Sequence, residues 1–146
     1  MPNQCIGKQD FVKISTTFGA TNGYPNGLGT PRAIDIDGNG TVDYVYAGDT
    51  FGNFFRFDLT SSNHADWNVT KIFKAQFVDE LGVATDQPIT TQPIVTLHPT
   101  RPDGFIVICA TGSYITVPDG SSKGIQTIYG LWDRLSPELL LSEDLV

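Results

Sequence analysis

The sequence predicts an all-β fold, and three observations carry that reading. Turn formers are abundant, with 15 Gly and 9 Pro among 146 residues. Short apolar and β-branched runs recur between clusters of Gly, Pro, Asn and Asp, which is how strands are punctuated. Helical periodicity is nearly absent before Ser136. The length corresponds to about one domain at ~150 residues per domain, so 1–146 is expected to be a single unit.

The elements follow in order. Ala33–Ile36 reads as a short strand. Tyr44–Ala47 reads as a second, Gly48–Asn53 as a turn and Phe54–Leu59 as a third strand, together a β-hairpin. Val69–Ala75 alternates well enough for a fourth, and Gln76–Asp86 reads as a loop. A second set follows: Gln87–Leu97, then Phe105–Ala110, the most apolar run and the best candidate for a fully buried strand, then Gln126–Trp132. Two such sets suggest two four-stranded antiparallel sheets in succession, like propeller blades of ~40–45 residues each. The predicted fold is thus a partial β-propeller of about two blades, with a β-sandwich left open by the pattern alone. Ser136-Pro137-Glu138 ahead of Leu139–Leu141 carries an N-cap, a first-turn proline and an acidic first turn. It reads equally as the entry to a further strand cut off by the chain end.

Composition narrows the function classes. The formal charge is −7, from 9 Lys+Arg against 16 Asp+Glu. The cations are scattered, Lys71 and Lys74 being the nearest approach to a cluster, and a phosphate backbone needs several together. Nucleic acid is therefore a poor partner, whereas an acidic chain suits divalent cations. No apolar run approaches the ~18 residues of a membrane span. The N-terminal stretch has no basic segment followed by an apolar one, so no signal peptide is expected; a protein acting outside the cytoplasm would be represented here by a mature segment. Cys5 and Cys109 lack zinc-ligand spacing, and two unrelated thiols are expected rather than a disulfide.

The strongest local signal is Asp35-Ile36-Asp37-Gly38-Asn39-Gly40-Thr41-Val42-Asp43. Oxygen-bearing side chains recur at alternate positions, and Ca²⁺ takes about six to eight oxygens at ~2.3–2.6 Å. Asp35, Asp37, Asn39 and Asp43 offer side-chain oxygens, Thr41 a backbone carbonyl, and Gly40 stands where such a loop turns sharply. Carboxylates this close repel one another without a cation. The loop is not an EF-hand, because Tyr46 stands where that motif has its bidentate Glu; Asp43 must close the site. An Asp/Asn/Gly-rich surface turn without an ion is the competing reading.

Other chemistry-bearing residues read as structural. Asp49 sits in a turn; Asp58 and Asp133 end strand candidates and are expected to accept backbone hydrogen bonds at sheet corners. His64 and His98 lie in loops without Cys/His partners. Thr111-Gly112-Ser113 is not a nucleophile elbow, and Gly23–Gly29 lacks the Lys-Ser/Thr of a phosphate loop. Asn39-Gly-Thr and Asn68-Val-Thr match the glycosylation sequon, the first being better explained as a calcium ligand. No catalytic set emerges, and the chain is expected not to be an enzyme.

The stretch from Asn26 to Leu59, with its acidic loop running into Tyr44-Ala-Gly-Asp and Arg56-Phe-Asp-Leu hairpin residues, resembles the type IV pilus PilY/PilC-type tip-associated proteins. Gln87-Pro-Ile-Thr-Thr-Gln-Pro, Ala110-Thr-Gly-Ser-Tyr and Tyr129-Gly-Leu-Trp-Asp-Arg look like the family's later segments in the right order. The resemblance covers residues 22 to 134. It implies a segment of a modified β-propeller, exported to the outer membrane, pilus tip or extracellular space. It also implies pilins and minor pilins as partners, attachment to host or abiotic surfaces, twitching motility, and calcium control of pilus extension against retraction. Asp35, Asp37, Asn39, Thr41 and Asp43 match the family's ligand positions. Phe55 and Ser113 depart from it, standing where the family usually has Trp and Arg. Two blades cannot close a propeller of at least ~4 blades, so a fragment or a self-assembling short paralogue is implied.

The alternatives are a calcium-stabilised carbohydrate- or protein-binding repeat module and a fragment of a quinoprotein dehydrogenase. The second needs a tryptophan motif in each blade, and Trp67 and Trp132 do not repeat at a blade period. The isolated segment is expected either to self-associate through apolar sheet faces or to pack its two sheets face to face.

Overall fold

The computed structural model describes residues 11–20, 23–101, 103–136 and 138–140. Strands β1 (Arg32–Ile34), β2 (Tyr44–Gly48), β3 (Asn53–Asp58) and β4 (Asn68–Lys74) form a four-stranded sheet in that spatial order. Strands β7 (Ile94–Leu97), β8 (Phe105–Ala110) and β9 (Ile128–Asp133) form a three-stranded sheet, again in chain order. Every pairing between these strands is antiparallel. Between the two sheets in chain order comes a ribbon of β5 (Gln76–Val78) and β6 (Ala84–Asp86). The described residues hold 3-10 turns at His64–Asp66 and Val117–Ser121 and no α-helix.

The alternation of side chains along a strand explains how the sheets stack. In the first sheet Tyr46 pairs with Arg56 and Gly48 with Phe54, so these share a face, while Val45, Ala47, Phe55 and Phe57 share the other. The first face meets Phe105, Val107, Cys109 and Leu131 of the second sheet, with Ile72, Ala75 and Ile89 completing the core. A bulge opposite Phe54 and Phe55 makes Ile72 the extra residue of β4 and sends its side chain fully into that core. The chain segment that crosses between the sheets lies close against Gly48, where an added Cβ would be 2.3 Å from Ile89 Cγ2; only glycine fits there.

Several expectations are corrected. Gln76–Asp86 is a hairpin rather than a loop: Asp79 accepts Gly82 N–H on its carbonyl, and its carboxylate accepts Leu81 and Val83 N–H. Its strands of three residues are too short to register as periodic. Of Gln87–Leu97 only Ile94–Leu97 is strand. Gln87–Pro93 instead crosses between sheets, with Gln87 N–H on Ala75 O, Ile89 N–H on Asp49 O and Gly112 N–H on Pro88 O. Pro88 and Pro93 have no N–H to offer a ladder. The second sheet has three described strands, not four.

Phe105–Ala110 is buried on one face only, for Ile108 faces away from the core and is exposed. Residues 138–140 are not helical, and Leu140 N–H donates to Ile72 O at 2.7 Å; Pro137 and residues 141–146 lie outside the described residues, as does Cys5. Cys109 is a buried thiol. Its pKa is pushed up to about 12 by burial.

Candidate metal centre

The acidic loop joins β1 to β2 and is anchored at both ends by the sheet. Asp43 N–H donates to Ile34 O at 2.9 Å, and Leu59 N–H to Asp43 O at 2.8 Å. Within this frame the loop folds on its own side chains. Asp35 accepts Gly38 N–H on Oδ1 and Gly40 N–H on Oδ2, each at 2.8 Å. Asp37 accepts the backbone N–H of Asn39 at 3.1 Å and its side-chain amide at 2.8 Å. Asn39 Oδ1 accepts Thr41 N–H at 2.7 Å and the Thr41 hydroxyl. Asp43 Oδ2 reaches back to Ile36 N–H at 2.7 Å. Gly38 and Gly40 adopt φ of 72° and 87°, the left-handed region a side chain disfavours.

This turn chemistry gathers the charges. Asp35, Asp37 and Asp43 place carboxylate oxygens within 4.8 Å of one another, at the solvent-exposed end of the sheet. The hydrogen bond from Gly40 N–H, more than the opposing effect of its surroundings, holds the Asp35 carboxyl below the usual carboxylate range. The loop thus presents ionised, hard oxygens suited to a divalent cation. The five sequence-derived positions fall in one loop: three supply the clustered carboxylates, while Asn39 and Thr41 are bonded to each other and, through Asn39, to Asp37.

A second carboxylate centre was not legible as such. Asp133, expected only to accept backbone bonds at a corner, does accept Leu135 N–H at 2.9 Å. It is also completely buried and takes Arg56 Nη1 at 2.5 Å and the Tyr46 hydroxyl at 2.8 Å. Arg56 Nη2 donates onward to Ser136 O at 2.9 Å. Burial, reinforced by the Asp133 charge, pushes the Tyr46 phenol far above its ordinary range. The signal in the sequence was a lone cation, Arg56, inside the apolar run Phe54–Phe57.

The remaining residues fall as structural supports. Asp49 accepts Phe51 and Asn53 N–H and the side chains of Asn26 and Asn53, organising the β2–β3 turn. Asp58 accepts Thr60 N–H and hydroxyl. His64 packs on Trp67, and His98 accepts Thr100 and Arg101 N–H. Ser113 donates to Asp119, which also accepts Ile115 and Thr116 N–H; the bond from Thr116 foremost brings its pKa down to about 2.

Two antiparallel sheets stacked in succession, with an acidic loop between the first two strands, define a segment of a β-propeller bearing a candidate cation loop. Residues 11–138 match the family model of the PilY1 beta-propeller domain. The chain belongs to that family. Type IV pilus biogenesis factor PilY1 of Pseudomonas aeruginosa is 39% identical over 132 residues, covering 77% of this chain and 11% of that protein. A PilY1 homolog of Xylella fastidiosa is 36% identical over 143 residues, covering 90% of this chain and 9% of that protein. The crystal structure of the P. aeruginosa PilY1 C-terminal domain aligns with a TM-score of 0.67 at 34% identity, over 81% of this chain and 28% of that one. The chain therefore spans about a tenth of the length of these curated relatives, and its all-β fold is that of a partial propeller. Among the described residues no helix is long and apolar enough to cross a membrane.

Proposed function

We propose that this chain is a non-enzymatic, calcium-binding segment of the propeller of a type IV pilus assembly and adhesion protein. The observation that carries the calcium assignment is the convergence of Asp35, Asp37 and Asp43 oxygens within 4.8 Å. These carboxylates, with Asn39 and the Thr41 carbonyl, would hold the ion, which supplies the positive charge that offsets their mutual repulsion. Membership of the PilY1 family supports the pilus context, with pilins and minor pilins as partners and a cell-surface location. In this reading calcium fixes the β1–β2 connection, and its binding and release bias the pilus toward extension or retraction and govern attachment to surfaces.

Isothermal titration of the chain with CaCl₂ tests the site. One ion per chain is expected, and Asp43→Ala is expected to abolish binding because no twelfth-position glutamate can take over. Full binding in that variant would overturn the ligand set. Twitching and surface attachment of cells carrying the same substitution in the whole protein test the pilus role separately.

A further inference from the structure

At the opposite end of the first sheet from the acidic loop, a cleft of about 670 Å³ opens between residues 17–20 with Tyr24, the β2–β3 turn and the end of β4. Its size lies within the ~300–1,000 Å³ of ordinary small-ligand sites. Its charge runs against the rest of the molecule. In a chain of net charge −7, the cleft brings together Lys71 and Lys74 against one acid, Asp86, among its described lining residues. Lys74 is already satisfied: its ammonium lies 2.7 Å from Asp86 and also donates to Phe51 O. Lys71 has no carboxylate partner among the described residues, and its Nζ lies 4.6 Å from the centroid of the Phe18 ring. That ring orients the ammonium without neutralising it.

The apolar component is equally specific. Phe18 is held on the sheet by Phe55, with ring centroids 5.6 Å apart, and the turn that delivers it places Thr17, a β-branched residue, at φ 63°. Tyr24 is 70% exposed beside the cleft. An accessible aromatic ring in the same cleft as an ammonium with no carboxylate partner among the described residues suits a ligand with a flat aliphatic face and one carboxylate. Sugar rings present such a face of C–H bonds, and aromatic side chains pack against apolar surface of this kind. We propose that this cleft binds a carboxylated sugar, of the uronic-acid class, with Lys71 pairing the carboxylate and Tyr24 packing on the ring. The site is separate from the acidic loop and does not rest on calcium binding.

The test is a titration of the isotopically labelled chain with cellobiouronic acid, followed by amide chemical shifts, with cellobiose and acetate as the two controls. Cellobiose keeps both rings and lacks the carboxylate; acetate keeps the charge and lacks the rings. Saturable shifts with cellobiouronic acid are expected around Tyr24, Phe51 and Lys71, weakening as salt is added, and both controls are expected to bind far more weakly. Lys71→Gln keeps the aliphatic stem and is expected to weaken binding about tenfold or more, the loss typical of a hydrogen bond to a charged group. Equal binding of cellobiose or of acetate, shifts confined to other surfaces, or no saturation would each overturn the proposal. Should Lys71→Gln perturb the fold, Tyr24→Ala, at an exposed position, serves as the second variant; undiminished affinity there would overturn it too.

Discussion

The molecule solves the problem of concentrated negative charge in two ways. In the exposed loop, Asp35, Asp37 and Asp43 are held by backbone N–H groups no more than seven residues away, and Asp35 and Asp37 are exposed while Asp43 is half-buried. In the core, Asp133 is stripped of water and held by Arg56, 77 residues distant, and by Tyr46, 87 residues distant. The first arrangement organises itself and remains open to an ion. The second exists only after the two sheets have met, and it then links β2, β3 and β9 and fixes how the sheets seat. The same functional group serves recruitment in one place and register in the other, and access to water separates the roles.

The largest expected effect breaks the buried centre. Asp133→Asn leaves the Arg56 guanidinium buried without its counter-charge, and about 3–5 kcal/mol of stability should be lost, read from urea unfolding. Replacing both partners, Arg56→Met with Asp133→Leu, should recover most of that loss, because the desolvated charge is then gone. A loss below ~1 kcal/mol for Asp133→Asn would mean that the pair behaves like a surface ion pair, and the contrast with the loop would collapse.

Next in size is the response to calcium. Free calcium at about 100 times its dissociation constant should add ~2.7 kcal/mol of stability, removed by chelator and absent in Asp43→Ala. Asp133→Asn protein that remains folded should still bind the ion with unchanged affinity, since the two centres share no residue. An unfolding midpoint indifferent to chelator would reduce the acidic loop to a self-bonded turn.

Smaller effects appear on titration. Cys109 is raised from 9.0 to about 12 in the folded chain, so the unfolded state loses this proton first. Stability should be insensitive to this thiol below pH 9 and fall as the pH climbs from there toward 12. The thiol should resist a disulfide reagent at pH 8 until the chain unfolds. Asp119, lowered from 3.8 to about 2, runs in the opposite sense. Its contribution is complete above about pH 4 and should be lost as the pH falls through about 2. Faster amide exchange at Ile115 and Thr116 across that window would report it, and Asp119→Asn should show the same loosening at neutral pH. Asp35 shifts in the same direction, held down first by the Gly40 N–H bond, so the acidic loop should likewise loosen as the pH falls below the ordinary carboxylate range.

What the sequence determined is local. The β2–β3 hairpin was legible because its alternation and its Gly/Asp/Asn turn lie within one continuous stretch. The acidic loop was legible because the spacing of Asp35, Asp37, Asn39 and Asp43 is itself the geometry: a nine-residue turn closing on its own amides needs no distant partner. The tertiary structure decided the rest. It turned Gln87–Pro93 from an apparent strand into a crossing segment, because the partners of its backbone groups lie on Ala75, Asp49 and Gly112. It gave Asp133 its buried charge partner and brought residues 17–20 and Tyr24 to the end of β4 around Lys71. Such pairings depend on how two sheets pack across dozens of residues, and spacing along the chain encodes neighbours within a turn or a strand, not those brought together by burial.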